Sequence, residues 1–381
     1  MNRNLIFIAF ALFTWGIGEG MFINFQPIYL EELGSNPQQV GFFLSLFGAA
    51  MAITHIPAGY LADRFGRRPL LVTAWALGLA SAIVMAAANT LPWFVVGMVM
   101  YGLTAFVSSP LASYMAAARG QWSVVKTLSL TSATYNFGMA LGPLVGGWIG
   151  EHYGLRASYY VVSALFAAST VIMFQIENQP IEHHDVTVSR FNMLSNPRLL
   201  VLLVVVGFAV FSMHISQPLT PNYLANVRNF EFTDTGLIFS VGALGNAVLN
   251  VLLGRLNPRK AFPIAQGFVA LFVLFVWNGT GIGWFLAGYF LLGGFRASRP
   301  LTSSLARELV QESQMGLTFG ILETVNAIIF IVTPTLAGFL FTLDPSLPYP
   351  LSLGLLVCSV LATLILLPRI FAAPQKEHTH A

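Results

Sequence analysis

The chain has 381 residues, of which 56% are hydrophobic and only 9% charged, with a mean hydropathy of +0.73. That much apolar surface exceeds what one soluble core of this length hides from water, so a polytopic membrane protein is implied and a water-soluble enzyme is excluded. The net charge of +3, from 18 Lys and Arg against 15 Asp and Glu, suits membrane-facing anchors and calls for no nucleic-acid partner.

A span needs roughly 20 apolar residues to cross about 30 Å of hydrocarbon. Stretches of that kind lie near 5–30, 40–62, 69–88, 92–118, 126–150, 155–176, 198–226, 234–254, 261–279, 282–306, 315–341 and 348–368. Lipid offers backbone amides no partner, so all are read as helices, and none shows the alternation of a membrane β-barrel strand. The predicted fold class is an all-α membrane protein with twelve transmembrane helices, in two six-helix pseudo-repeats around a central cavity.

The first stretch holds Glu19 near its middle, with Trp15 and Gln26 on about the same face, and its length and that carboxyl argue for a retained helix rather than a signal peptide. The second carries His55 and closes on Gly59-Tyr60-Leu61-Ala62-Asp63-Arg64-Phe65-Gly66-Arg67-Arg68, a charged turn between two apolar runs. The fourth has no charged residue, and the fifth contains Asn136 and Gly138-Met139-Ala140-Leu141-Gly142-Pro143-Leu144-Val145-Gly146-Gly147. A polar stretch, 177–197, then divides the spans, predicting a bundle over 1–176, a linker, and a second bundle over 198–381. His183-His184-Asp185 within it reads as solvated, so no metal site is assigned. The seventh stretch carries His214 and Gln217, the tenth Arg296 and Arg299, the eleventh Glu323, and the twelfth the single cysteine, Cys358, which excludes an intramolecular disulfide.

The halves align with each other. Gln26-Pro27 recurs as Gln217-Pro218 after 191 residues, and Gly41, Ser45 and Gly59 recur as Gly236, Ser240 and Gly254 after 195. Such matches in order argue for duplication, and duplicated bundles that rock about a midplane site give alternating access.

The run from Gly59 to Arg68 resembles the loop motif of the major facilitator superfamily of transporters. The resemblance implies that Gly59 allows close helix approach and that Asp63 joins Arg64, Arg67 and Arg68, with Gly66 in the turn, in a network that latches the cytoplasmic side. The second-half counterpart places Pro258 where Asp63 would align, so any latch is asymmetric. The fifth-span run looks like the motif of the superfamily's antiporters; Gly138, Gly142 and Gly146 share one helical face open to a partner backbone, and Pro143 permits a bend. Proton-coupled exporters of that superfamily often carry an arginine in the fourth span, which this chain lacks.

Basic residues set the topology. With the N-terminus cytoplasmic, fourteen of the 18 Lys and Arg fall inside and Arg156 and Arg228 outside, so both termini are expected in the cytoplasm of a multi-pass cell-membrane protein. Ionisable groups within spans cost on the order of 3 kcal/mol each and so mark the pathway. Glu19 and Glu323 are the candidates for proton coupling, and Arg296, Arg299, Gln26, Gln217, Asn136 and His214 for substrate contact. Arg299 and Glu323 lie at equal depth, which makes them a structural pair and leaves Arg296 for an anionic group of the substrate. The function expected is a monomeric secondary transporter in the lipid bilayer, exporting a small-molecule substrate against proton entry without a cofactor or metal. A uniporter, an uptake symporter and a non-transporting receptor are the alternatives; no catalytic cluster suggests an enzyme.

Overall fold

The computed structural model describes residues 3–179, 196–311 and 314–372, and for 55–64 the backbone alone. The side chains of His55, Asp63 and Arg64, the surroundings of Gly59, and His183, His184 and Asp185 therefore lie outside the described residues.

The first span is broken in two. Helix α1 (Arg3–Phe22) ends in a turn over 23–25, and α2 (Gln26–Glu32) restarts with Pro27 in its first turn, where a missing amide costs nothing. Helices α3 (Pro37–Phe65) and α4 (Arg67–Ala87) follow, separated by Gly66, whose φ of 84° suits glycine. The fourth span is a composite rod of α5 (Leu91–Leu103), a 3-10 turn (Thr104–Val107) and α6 (Ser108–Ala117). Pro110 lacks the amide that would bond the carbonyl of Phe106, which lies in that tightened turn. Helices α7 (Val124–Tyr153) and α8 (Leu155–Met173) complete the first six spans.

The second half repeats the plan with α9 (Pro197–His214), α10 (Thr220–Asn226), α11 (Phe232–Gly254), α12 (Pro258–Asn278), α13 (Ile282–Arg307), α14 (Met315–Leu343) and α15 (Pro348–Ala372). Among the described residues nine helical rods are long and apolar enough to cross a membrane. The more polar α7 and α13 pack among them, α7 on α1 and α11, α13 on α11 and α12, while α3 packs on α14.

Pseudo-symmetry is visible in the contacts between halves. The short helices α2 and α10 both carry proline at the second helical position, Pro27 and Pro221, 194 residues apart. The sequence match of Gln26-Pro27 with Gln217-Pro218 is thus corrected by a few residues, because Gln217 and Pro218 lie in the turn before α10. Asn222 Nδ2 donates to the carbonyl of Pro27 at 3.0 Å and Asn226 Nδ2 to Glu31 Oε2 at 2.6 Å, each pair 195 residues apart. Bonds between repeat mates locate the two-fold pseudo-axis between α2 and α10, as at an isologous interface.

The flanking contacts obey the same symmetry. Gly236 of α11 sits on the backbone of Pro143 and Gly147 of α7, and Gly41 of α3 on that of Pro334 and Gly338 of α14; an added Cβ at either glycine would strike a carbonyl oxygen. Ser45 Oγ, farther along α3, meets Thr335 Oγ1 at 2.8 Å. These contacts all fall in the portions of the helices nearest the α2 and α10 ends, so the halves are sealed at the end opposite the chain termini.

Candidate functional site

Helix α1 is held against α7 by the glycine face that the sequence marked. A Cβ on Gly138, Gly142 or Gly146 would collide with the carbonyl oxygens of Phe13, Ile17 and Met21, so the two backbones approach where side chains are absent. Gly16 and Gly20 of α1 contribute the reciprocal clearance. This contact brings Tyr135, three residues before Gly138, alongside Glu19.

The hydroxyl of Tyr135 donates to Glu19 Oε2 at 2.7 Å, and Glu19 is half-buried. Beside it, Trp15 Nε1 donates to the Tyr101 hydroxyl at 3.2 Å, and Tyr101 also approaches the carboxylate. Trp15 is fixed by a parallel stack on Phe166, with centroids 3.8 Å apart, and by the Trp75 ring. A carboxylate held only by neutral donors and set in an aromatic wall retains its capacity to take a proton or a cation.

The facing wall belongs to the second half. His214 Nδ1 bonds Thr333 Oγ1, whose own proton goes to the carbonyl of Ile329 at 2.7 Å, so the imidazole donates from Nδ1. The ring packs edge-on to Phe330, with centroids 4.4 Å apart, and stacks near Phe295 at 5.6 Å. Arg296, next to Phe295, is exposed and makes no hydrogen bond or ion pair among the described residues. Its charge nonetheless reaches Glu19, Tyr135 and His214. Arg299 is differently placed: Nε and Nη2 donate to both Glu323 oxygens at 2.8 and 2.6 Å, a fork-to-fork pair.

Other expected residues are spread out. Gln26 is buried in α2 with Nε2 unpartnered, Gln217 donates to the carbonyl of Met213 at 2.6 Å in the turn before α10, and Asn136 donates to Ser132 at 2.7 Å from an exposed face of α7. Arg67 and Arg68 reach within their own half, to Gln179 at 3.3 Å and to the Phe174 carbonyl at 3.0 Å, where the first bundle ends. Tyr135, Tyr101 and Thr333 were missed by sequence reasoning. Tyr135 could have been found from its position one turn from Gly138, and Thr333 from standing just before Pro334.

At the sealed end, a cavity of about 530 Å³ lies between the halves, lined by Glu31, Glu32, Glu151, Asn226 and Glu231 among others. Glu151 Oε2 accepts the amide of Thr233 at 3.0 Å. Glu32 and Glu151 lie beyond the apolar stretches; burial pushes the Glu32 carboxyl up, whereas hydrogen bonds from the side chain and amide of Thr233 hold Glu151 below the usual range. Arg156 and Arg228 cap helix ends here, Arg156 on the Ala86 carbonyl at 3.1 Å and Arg228 on those of Val276 and Trp277.

A model of the Major Facilitator Superfamily matches residues 8–277 and 202–380. Quinolone resistance protein NorA of Staphylococcus aureus is 23% identical over 385 residues, covering 96% of this chain and 97% of that one. Multi-drug resistance efflux pump PmrA of Streptococcus pneumoniae is 26% identical over 354 residues, covering 87% and 82%. The solved nucleoside transporter NupG superposes with a TM-score of 0.80 at 12% identity, over 98% of this chain and 100% of that one. The peptide transporter POT in complex with sulfate gives 0.77 at 15%, over 97% and 95%. The two structures speak for the fold alone.

Proposed function

This chain belongs to the Major Facilitator Superfamily, and from that premise we propose that it exports a small organic solute across the cell membrane in exchange for protons. The observation that carries this reading is the placement of Glu19 and Arg296 on opposite halves, with small-residue contacts and hydrogen bonds joining the halves at the end opposite the chain termini. Rocking about those contacts would expose the pair to each side in turn. The drug-efflux names of the two curated relatives favour export over uptake.

Each residue has a role in this reading. Glu19 takes the proton, Arg296 meets the substrate, and His214 with Asn136, Gln26 and Gln217 supplies polar lining. Glu323 is held by Arg299 in this state and is freed for proton exchange only if that pair opens. With both termini in the cytoplasm the sealed end is extracellular and the conformation is inward-facing. Gly59, Asp63, Arg64, Gly66, Arg67 and Arg68 then form the latch of the opposite, outward-facing state. The carrier works as a monomer, with no metal or cofactor.

Purified protein in liposomes, given an imposed proton gradient, tests this. Gradient-driven movement of a dye or drug supports proton-coupled export; movement down its own gradient, indifferent to protons, would make the chain a uniporter.

A further inference from the structure

The centre of the bundle carries two charges that do not bond each other. Glu19 stands on α1 with a tyrosine as its donor, and Arg296 stands on α13 with no bonded partner among the described residues. The second arginine of the same face is already satisfied, because Arg299 spends two donors on Glu323. His214 spends its Nδ1 proton on Thr333, whose own proton goes to the Ile329 carbonyl.

Resting on the reading of the chain as a carrier, we propose that its substrates are aromatic zwitterions, bound with their acidic group on Arg296 and their basic amine on Glu19. A simple cation would leave Arg296 unpaired and repelling it; a simple anion would face the Glu19 carboxylate. A molecule carrying both charges satisfies both walls at once, and the exposed guanidinium of Arg296, with no bonded partner among the described residues, is open to a charge-assisted bond from a ligand. The planar guanidinium favours a carboxylate, which it grips through two parallel bonds. The body between the charges is aromatic because Tyr135 beside Glu19 and Phe330 beside His214 keep ring surface uncovered, backed by the buried rings of Trp15, Tyr101 and Phe295. Ring faces of that kind hold flat ligands at little entropic cost. The two charges also belong to different halves, so a bound zwitterion ties the halves together, which neither single charge does.

The test uses the full chain in detergent and in liposomes with a matched trio: a quinolone carboxylic acid bearing a piperazine, its methyl ester, and its N-acetyl derivative. These present a zwitterion, a cation and an anion on one aromatic frame. The expected result is binding of the zwitterion about tenfold or more tighter than either derivative, the size of one charge-assisted bond. Arg296→Gln should erase the advantage over the ester, by weakening zwitterion binding and relieving the repulsion of the cationic ester, with Arg296→Lys restoring part of it. Glu19→Gln should erase the advantage over the N-acetyl compound. Equal binding of all three by the wild type, an Arg296→Gln loss that strikes zwitterion and ester alike, or no binding by a protein that melts normally would each overturn the proposal. Flux separates the two ideas: transport without zwitterion preference leaves the carrier standing, whereas binding with no flux under any gradient overturns the carrier itself.

Discussion

The Tyr135 hydroxyl and the Glu19 carboxylate are joined by a 2.7 Å hydrogen bond between α7 and α1, and the glycine face beginning at Gly138 brings them together. Replacement by Tyr135→Phe removes the donor and keeps the ring, leaving a charged group short of one bond, a cost of about 1–3 kcal/mol. Proton-driven flux in liposomes should fall roughly tenfold while the protein's melting temperature changes little. Flux at the wild-type rate would show that the bond is incidental.

Alanine at Gly142 should act through packing. Its methyl group meets the backbone of Ile17 and Gly20, and overpacked contacts of this kind cost about 1–3 kcal/mol. A lowered melting temperature and loss of transport together are expected. An unchanged melting curve would mean that α1 and α7 do not touch there.

The sealed end predicts a conformational effect. Asn226→Ala removes a hydrogen bond between the halves, from Asn226 to Glu31, while Glu151→Gln keeps an acceptor for the Thr233 amide but takes away the charge that strengthens that bond. Spin-label distances across that end should lengthen in a larger share of molecules. The Glu151 carboxyl is held below its usual range while the end is closed, so closure binds fewer protons there than opening does. Its contribution is full at neutral pH and is lost only as pH falls through that lowered range, beneath the ordinary value of about 4.3. Wild type and Glu151→Gln should therefore differ at pH 7 and at pH 5 alike; a difference that vanished between those values would refute the assignment.

Arg299 and Glu323 make a bidentate pair, yet their side chains are 66% and 45% exposed. Solvent screening at such exposure holds an ion pair to about 0–1 kcal/mol. A double-mutant cycle of Arg299→Gln with Glu323→Gln, read by thermal unfolding, should give a coupling of that small size. A coupling several times larger would place the pair in a drier site than its exposure indicates.

Hydropathy placed every span within a few residues, because crossing hydrocarbon demands long apolar helices and the polar breaks between them are sharp. Breaks inside spans were harder to read: neither the turn over 23–25 nor the 3-10 segment at Thr104–Val107 changes the hydropathy. Glu19, Arg296, Arg299 and Glu323 stood out as charges in apolar sequence, and equal depth foretold the Arg299–Glu323 bond. Tyr135, Tyr101 and Thr333 did not, since tyrosine and threonine are ordinary in such helices and become notable only when packing of α1 on α7, or of α9 on α14, turns them toward a charge. The pseudo-axis was half visible. Gly41 and Gly236 gave the offset of 195, but only their neighbours across the interface, Pro334 with Gly338 and Pro143 with Gly147, reveal that the antiporter-like run has a second copy in α14.

The most direct measurement is transport in liposomes by Glu19→Gln. The account predicts that a proton gradient no longer drives substrate accumulation by this variant, while exchange of labelled for unlabelled substrate, which needs no net proton movement, continues at substrate concentrations high enough to offset the weaker hold on the amine. Gradient-driven accumulation at the wild-type level by a correctly folded Glu19→Gln protein would contradict it.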